Sequence, residues 1–281
     1  MPNNVYTLLC ERDYEMACRT LPLLVQFLND QQELFILGDG SLSPSTVDSF
    51  SEISERIRVI TLQERNESVL DQLQQYPNCI AYRNKFPLGY KLLDLALLNK
   101  QQANTRFIFT DSDIIYIRNC EPYFQQNRDV YLRTDQIKLS IRLQHALLKY
   151  RWKIPYKFNS GYFSYDAKKF DLDFVEYYLG LPEINNIPWL TEQTCWALLF
   201  GKLPISYYPD ESQFVCQEKF EALKESTLAV HLIANLKSKV KEWSEEAKNL
   251  QNHEPEQLRF SPTKNVTLFD WGKKKLNQYV K

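Results

Sequence analysis

The chain has almost no net charge, with 34 basic against 35 acidic side chains in 281 residues. No overall field therefore argues for nucleic acid as a partner. Glycine is scarce, seven in all, which excludes a low-complexity or flexible-linker protein. Six cysteines are scattered without a C-x-x-C pair, and in a chain this long they form no disulfide framework by spacing alone. No apolar run approaches the length of a bilayer span, so no transmembrane segment is expected. The opening M-P-N-N-V-Y-T lacks a basic stretch followed by an apolar one. The expectation is a cytoplasmic chain with reduced thiols, for which the acceptor-like Asn66-Glu67-Ser68 and Asn265-Val266-Thr267 carry no glycan. There is no internal repeat and no convincing linker. Length fits one large domain, or one domain with an extension.

What is abundant is aromatic: five Trp, 17 Tyr and 16 Phe, mostly core, with some free to line a sugar or base pocket. The stretch that stands out is Arg106 to Asn119, R-F-I-F-T-D-S-D-I-I-Y-I-R-N. Phe107, Ile108 and Phe109 suit a buried strand, and Ile114, Ile115 and Ile117 resume the apolar pattern. Between them stand Asp111 and Asp113, carboxylates that are costly to bury unless something cationic meets them. In extended backbone, residues two apart point to one side, so the pair could share one ion. Hard carboxylate oxygens suit Mn²⁺ or Mg²⁺, and such ions commonly bridge to substrate phosphates. For an arbitrary D-x-D the commoner meaning is a strand ending in a polar turn, with one Asp capping the next segment.

In order, Val5–Cys10 reads as a strand and Ala17 to Leu28 as a helix in which Pro22 predicts a kink. Leu34–Leu37 is a second strand closed by Gly38-Asp39-Gly40, and Ser43-Pro44 looks like an N-cap with Pro at the first helical position. Arg58–Leu62 is a third strand, Ser68–Tyr76 a short helix, and Leu88–Leu98 an apolar helix before the Phe107 strand. This β-α-β-α-β-α-β order predicts a Rossmann-like, mostly parallel sheet flanked by helices, with ligand loops at the carboxyl ends of its strands. Asp39 and Asp111 fall at such ends. The later half is less regular: a strand at Val130–Leu132, a helix at Gln136–Tyr150, a strand from Asn159 to Tyr165, helices at Lys168–Leu179 and Glu192–Phe200, and a strand at Ala229–Ile233. The fold class is α/β, one domain with a mixed C-terminal half. Its expected extent is 1–236, with a charged, helical extension at 237–281 packed on the same domain.

Four later segments carry polar groups that suit the acidic pair. His231 lies in an apolar strand, where it is either a hydrogen-bonded core residue or a third ligand completing an O,O,N site for Mn²⁺. Lys237, six residues on, is either a solvated lysine or a counter-charge for a diphosphate held by that ion. Asn159-Ser160-Gly161 combines neutral hydrogen-bonding groups with a glycine that permits close backbone approach, which a sugar ring needs and an ordinary turn also shows. Thr191-Glu192-Gln193 opens a helix, as a simple cap or as a carboxylate and amide reaching into a pocket. Trp152 and Trp189 are stacking platforms for a sugar, or core.

The segments F-I-F-T-D-S-D-I-I-Y-I, N-S-G-Y-F-S-Y, T-E-Q-T-C-W-A-L-L and H-L-I-A-N-L-K resemble those of GT-A fold, nucleotide-sugar-dependent glycosyltransferases. The likeness is strongest to the retaining group that includes glycogenin and bacterial lipopolysaccharide galactosyl- and glucosyltransferases, and it spans roughly Val5 to Lys237. It implies that Asp111, Asp113 and His231 bind Mn²⁺ and that Lys237 contacts the diphosphate. It also implies that Asn159, Ser160 and Gly161 touch the donor sugar and that Glu192 and Gln193 lie near the reacting carbon. Asp39 looks like the acidic residue that contacts base or ribose in many sugar transferases. Arg83 and Lys91 occur where related enzymes place donor-contacting basic groups, and Ser112 joins the donor set between the two aspartates. The chain departs from the family at Ala234, Asn235 and Lys239, where a glycine, a proline and a tryptophan are usual, and the first-strand region has no close match.

The function expected is a Mn²⁺- or Mg²⁺-dependent hexosyltransferase using a nucleoside diphosphate sugar, a UDP-sugar first, with retention favoured by the likeness. The acceptor hydroxyl belongs to a glycan, a lipid-linked sugar or a protein; for inversion, Glu192 or Asp210 supplies the base. The Lys273-Lys274-Lys275 cluster makes a membrane-peripheral position a further option, against a solvated tail. The rivals are a non-catalytic nucleotide-sugar or glycan-binding module on the same fold, and a D-x-D phosphohydrolase. The phosphohydrolase usually carries its motif on the first strand, followed by Gly-Thr; here Ile-Ile follows, after residue 100.

Overall fold

The computed structural model describes residues 3–134, 148–155, 157–184, 188–216, 224–250, 257–267, 269–270 and 273. Most of the helix expected over 136–150, together with Lys274 and Lys275, lies outside them. The first half alternates strands β1 (Asn4–Leu9), β2 (Leu34–Gly38), β3 (Ile57–Ile60) and β4 (Arg106–Thr110) with helices α1 (Tyr14–Val25), α2 (Pro44–Ile53), α3 (Leu62–Leu73), α4 (Pro77–Lys85) and α5 (Leu95–Lys100). These four strands run parallel in the order β3-β2-β1-β4. Ser43 accepts from the Thr46 amide at 3.2 Å to start α2 at Pro44. Helix α3 starts at Leu62, six residues before the expected Ser68, because Thr61 and Glu64 close a reciprocal capping box. Helix α4 has no counterpart in the pattern reading, its buried residues being only Cys79, Tyr82 and Arg83.

The second half begins with β5 (Ile114–Tyr116), α6 (Glu121–Phe124), β6 (Val130–Arg133), β7 (Lys153–Ile154) and β8 (Phe158–Asp166). Helices α7 (Leu172–Leu179) and α8 (Pro188–Gly201) follow, then β9 (Ser206–Pro209), β10 (Phe214–Cys216) and β11 (Ala229–His231). Helix α9 (Val240–Leu250), β12 (Phe260–Thr263) and β13 (Val266–Thr267) close the chain. Strand β8 pairs antiparallel with both β4 and β6, so the parallel half grows into a mixed sheet. Among the described residues that sheet has eight strands, ordered β12-β9-β6-β8-β4-β1-β2-β3. A smaller sheet, β10-β11-β5, sets His231 opposite Ile114. After residue 237, α9 packs on α1 and β5, and β12 pairs with β9.

Alternation along β4 builds both core layers. Phe107 and Phe109 point to one face with Phe163, Tyr165, Trp196 and Phe200, while Ile108 faces Tyr162, Leu21 and Leu24 on the other. Behind the carboxyl ends of β2 and β3 sits a buried Arg65–Asp94–Arg83 cluster. Arg65 Nε donates to Asp94 Oδ2 at 3.0 Å, and Arg83 Nε donates to Oδ1 at 2.7 Å. Arg65 also donates to the Gly38 and Ile60 carbonyls at 2.6 and 3.2 Å, tying the ends of β2 and β3 to the helix that carries Asp94. The Tyr90 ring lies 5.0 Å from the Arg65 guanidinium and 4.9 Å from that of Arg83. Removing the shared carboxylate strands two buried cations. Asp94→Asn is therefore expected to cost about 3 kcal/mol or more by chemical denaturation; a loss under about 1 kcal/mol would show that the cluster is not integral to the fold.

Candidate metal centre and active site

The order of strands reverses at β1, which has β2 on one side and β4 on the other. Open α/β sheets bind ligands in the crevice outside the carboxyl ends of the strands at such a point. A cleft of about 1030 Å³ lies there. Leu9 and Cys10 enter it from the end of β1, Asp39 and Ser41 from β2, and Asp111 to Asp113 from β4. The residues expected to bind metal or donor, or to lie at the reacting carbon, all line it except Arg83. Arg83 is buried, its guanidinium held by Asp94 and by Asn66 Oδ1 at 2.8 Å. Asp210, the alternative base, also lies away from the lining residues, its carboxylate accepting from the Ser212 amide and hydroxyl. Helix α8 begins at Pro188, a residue well suited to a first turn. Thr191 is therefore no N-cap, and Glu192 and Gln193 sit inside the helix. Cys10 to Asp13, Pro87 and Leu88 line the cleft although no motif marks them. The rule that ligands gather beyond parallel strands does point to the residues after β1. Trp189 lines it too, whereas Trp152 does not.

The register of the small sheet brings distant residues to the aspartates. Leu232 N donates to Asp113 O at 2.9 Å, and Asp111 N donates to Gly161 O at 2.7 Å. His231 Nε2 then lies 3.1 Å from Asp113 Oδ1 and 3.6 Å from Asp111 Oδ2. Lys237 Nζ pairs with Asp113 Oδ2 at 2.9 Å. Gly161 leaves room for the imidazole, since a Cβ there would fall 2.8 Å from His231 Nδ1 and from Asn159 Oδ1. Burial by itself raises the Asp113 pKa, but His231 and Lys237 outweigh it and hold the carboxyl below its ordinary range. Asp111 is shifted upward, by burial first and by Asp113 in addition, against the pull of Lys91. One ligand atom each from Asp111, Asp113 and His231 lies within 4.8 Å of the others. Asp113 Oδ1 is buried and accepts no hydrogen bond. Two hard oxygens and one imidazole nitrogen, with one oxygen left unsatisfied, fit a divalent ion of the Mn²⁺ or Mg²⁺ kind.

Residues 96–179, from α5 through α7, match the sequence model described as nucleotide-diphospho-sugar transferase. No curated protein sequence matches the chain. Among solved structures, the galactosyltransferase LgtC in complex with donor and acceptor sugar analogues superposes with a TM-score of 0.53 at 11% identity, over 90% of this chain and 98% of that one. Mouse xyloside xylosyltransferase 1 gives 0.56 at 11% identity, over 84% of this chain and 99% of that one. The glycosyltransferase GlyE of Streptococcus pneumoniae TIGR4 gives 0.52 at 11%, over 91% of this chain and 66% of its own. The fold is GT-A. In this GT-A domain the cleft lies where the family-matched segment, which carries Asp111, Asp113 and Asn159 to Gly161, meets the end of β1.

A second polar group flanks the aspartates. Lys91, buried in a π-helical turn (Tyr90–Asp94), donates to Asp111 Oδ1 at 3.0 Å and to Ser160 Oγ at 3.3 Å. Ser160 Oγ donates to Glu192 Oε2 at 3.0 Å, and Lys91 Nζ is 3.8 Å from Glu192 Oε1. Phe109 lies beneath the ammonium, 4.4 Å from Nζ to ring centroid. Burial acts to lower the Lys91 pKa, but Asp111 and Glu192 overcome it and the lysine stays charged. Glu192 is pushed up to about 7, chiefly by burial. A carboxyl raised on folding binds more protons in the native than in the unfolded chain between 4.5 and about 7. Native stability therefore falls as pH rises through that window. In metal-free buffer, Glu192→Gln should gain on the wild type by something on the order of 1–3 kcal/mol between pH 5 and 8. Thermal melts at a series of pH values check this, and a difference that stays flat would contradict the burial argument.

Proposed function

We propose that this protein is a metal-dependent glycosyltransferase. It moves a hexose from a nucleoside diphosphate sugar, a UDP-sugar first, to an acceptor hydroxyl with retention at the anomeric carbon. The observation that carries the reading is the meeting of Asp111 and Asp113 from the end of β4 with His231 from β11, beside Lys237, in the switch-point cleft. Asp111, Asp113 and His231 would hold the divalent ion, which when bound supplies Lewis-acid stabilisation of charge on a diphosphate leaving group. Lys237 is 42% exposed at its side chain, so its ammonium can turn from Asp113 to meet incoming phosphate oxygens.

The remaining groups act on the sugar. The Asn159 side chain and the backbone around Gly161 position the hexose against the aspartates, with Lys91 charged behind them. Glu192 and Gln193 come from one turn of α8, and the Gln193 Oε1 accepts from the Ser160 amide at 3.4 Å. That contact turns the Gln193 carboxamide toward the sugar subsite, beside the carbon where the bond breaks. Asp39 offers its carboxylate to ribose or base, and its Oδ1 already accepts from Ser41 N at 2.9 Å. Retention is the reading because the sequence likeness is to the retaining group; for inversion, Glu192, which lines the cleft with its pKa pushed up to about 7, is the base.

The test is Mn²⁺-dependent hydrolysis and transfer across UDP-, GDP- and dTDP-hexoses. Asp113→Ala is expected to lower both by roughly 10²-fold or more while its far-UV spectrum stays native. Near-normal turnover by that variant would overturn the reading. Binding of a donor by the wild type without any turnover would favour the non-catalytic module instead.

A further inference from the structure

Trp189 is a large apolar side chain that folding leaves 47% exposed, and it lines the same cleft. Exposure of an indole is not unusual by itself, but exposure inside a concave cleft that also carries Leu8, Leu9 and Ile233 marks a surface that waits for a ligand. Its position in the helix gives the direction. Trp189 precedes Gln193 by four residues in α8, which places both on one helix face about 6 Å apart along the axis. The indole therefore stands one helical turn from the amide assigned to the reacting carbon, where an acceptor hydroxyl has to arrive, and both line the cleft. Pro87 and Leu88 also line the cleft, adding rigid apolar surface. Among the described residues no aromatic ring stacks on Trp189. Trp152 differs: Tyr150 is stacked on it at 4.8 Å and Phe174 packs edge-on at 5.6 Å, so its faces are taken.

We infer that Trp189 is the stacking platform for the acceptor, and that the acceptor is a saccharide presenting the C–H face of a pyranose ring. An indole has a broad apolar face with a polar edge, so it holds a ring that is apolar on its faces and polar at its rim. A peptide or a plain lipid alcohol would leave that pairing unused. The sugar ring is oriented with one hydroxyl directed past Gln193 into the donor subsite, while the polar rim stays in water. This inference rests on the transferase reading above and names the substrate class for the same site.

The experiment uses the full chain with a UDP-hexose, Mn²⁺ and a panel of lactose and methyl pyranosides, with a hydroxyl-bearing peptide and a long-chain alcohol as non-sugar controls. In Trp189→Ala the KM for the saccharides should rise about tenfold, while acceptor-free donor hydrolysis and the donor KM change less than about twofold. Trp189→Tyr should recover most of the loss, which a purely structural role would not explain. Saturation-transfer spectroscopy reads the same site without turnover: lactose or methyl pyranosides should bind the wild type and not the alanine variant. Unchanged saccharide KM and binding in Trp189→Ala would overturn the inference while leaving the transferase reading intact if donor hydrolysis persists. Absence of saccharide binding to the wild type, or transfer to the non-sugar controls alone, would overturn it equally.

Discussion

Buried carboxylates and the cations that meet them crowd one region of this molecule, and their mutual compensation is the constraint on which the rest is built. Asp113 and Glu192 are almost wholly buried, and Asp111 is 31% exposed at its side chain. Charge at such depth survives only when paired and hydrogen-bonded. Lys91 meets Asp111 and Glu192 from one side, and Lys237 meets Asp113 from the other. Asp94, a few residues from Lys91, is matched instead by two arginines. Both Asp94 oxygens are hydrogen-bonded, although burial still raises its pKa, whereas at the cleft Asp113 Oδ1 accepts no hydrogen bond and Glu192 rises to about 7. A structural cluster closes on itself, whereas a binding site leaves charge open to a ligand.

The architecture explains why these groups meet. A parallel β1–β4 pair delivers two strand ends to the same edge, and β8 adds an antiparallel partner that sets Gly161 beside Asp111. The small β10-β11-β5 sheet then folds the late strand back over the start of β5, so a histidine 118 positions after Asp113 in the sequence lands against it. Neither sheet alone makes the site. Their junction does, and the close approach of the two sheets at Gly161 and His231 is what forbids a side chain at residue 161.

Much of this is legible in the sequence because it is written in short-range pattern. The apolar run Phe107–Phe109 broken by two aspartates marks β4 and its end, and Ser43-Pro44 marks the start of α2. The fold class follows from the alternation of strands and helices. What pattern does not carry is long-range chemistry. Arg83 resembles a donor contact because of its place before β4, yet its geometry is set by Asp94 and Asn66, contacts that no periodicity encodes. The apolar face of α3 begins late and hides its true start, although Thr61 and Glu64 spell the capping box. The start of α8 is hidden for a related reason: the polar Thr191-Glu192-Gln193 looks like a cap, but these residues are interior to the helix, and Glu192 and Gln193 line the cleft.

The π-helical turn Tyr90–Asp94 joins the structural cluster to the cleft. Such turns carry one residue more than an α-helical turn and often stand at functional sites. Within it Asp94 joins the two arginines, Tyr90 lays its ring against both guanidinium groups, and Lys91 reaches Asp111. One turn thus sends a carboxylate toward the arginines and an ammonium toward the candidate metal ligands. The same arginine cluster holds the ends of β2 and β3 through Gly38 O and Ile60 O. The position of Lys91, and with it the field at Asp111 and Glu192, is therefore fixed by the interaction that anchors the outer strands of the sheet. Rigidity behind the site is what allows the charges in front of it to remain incompletely paired.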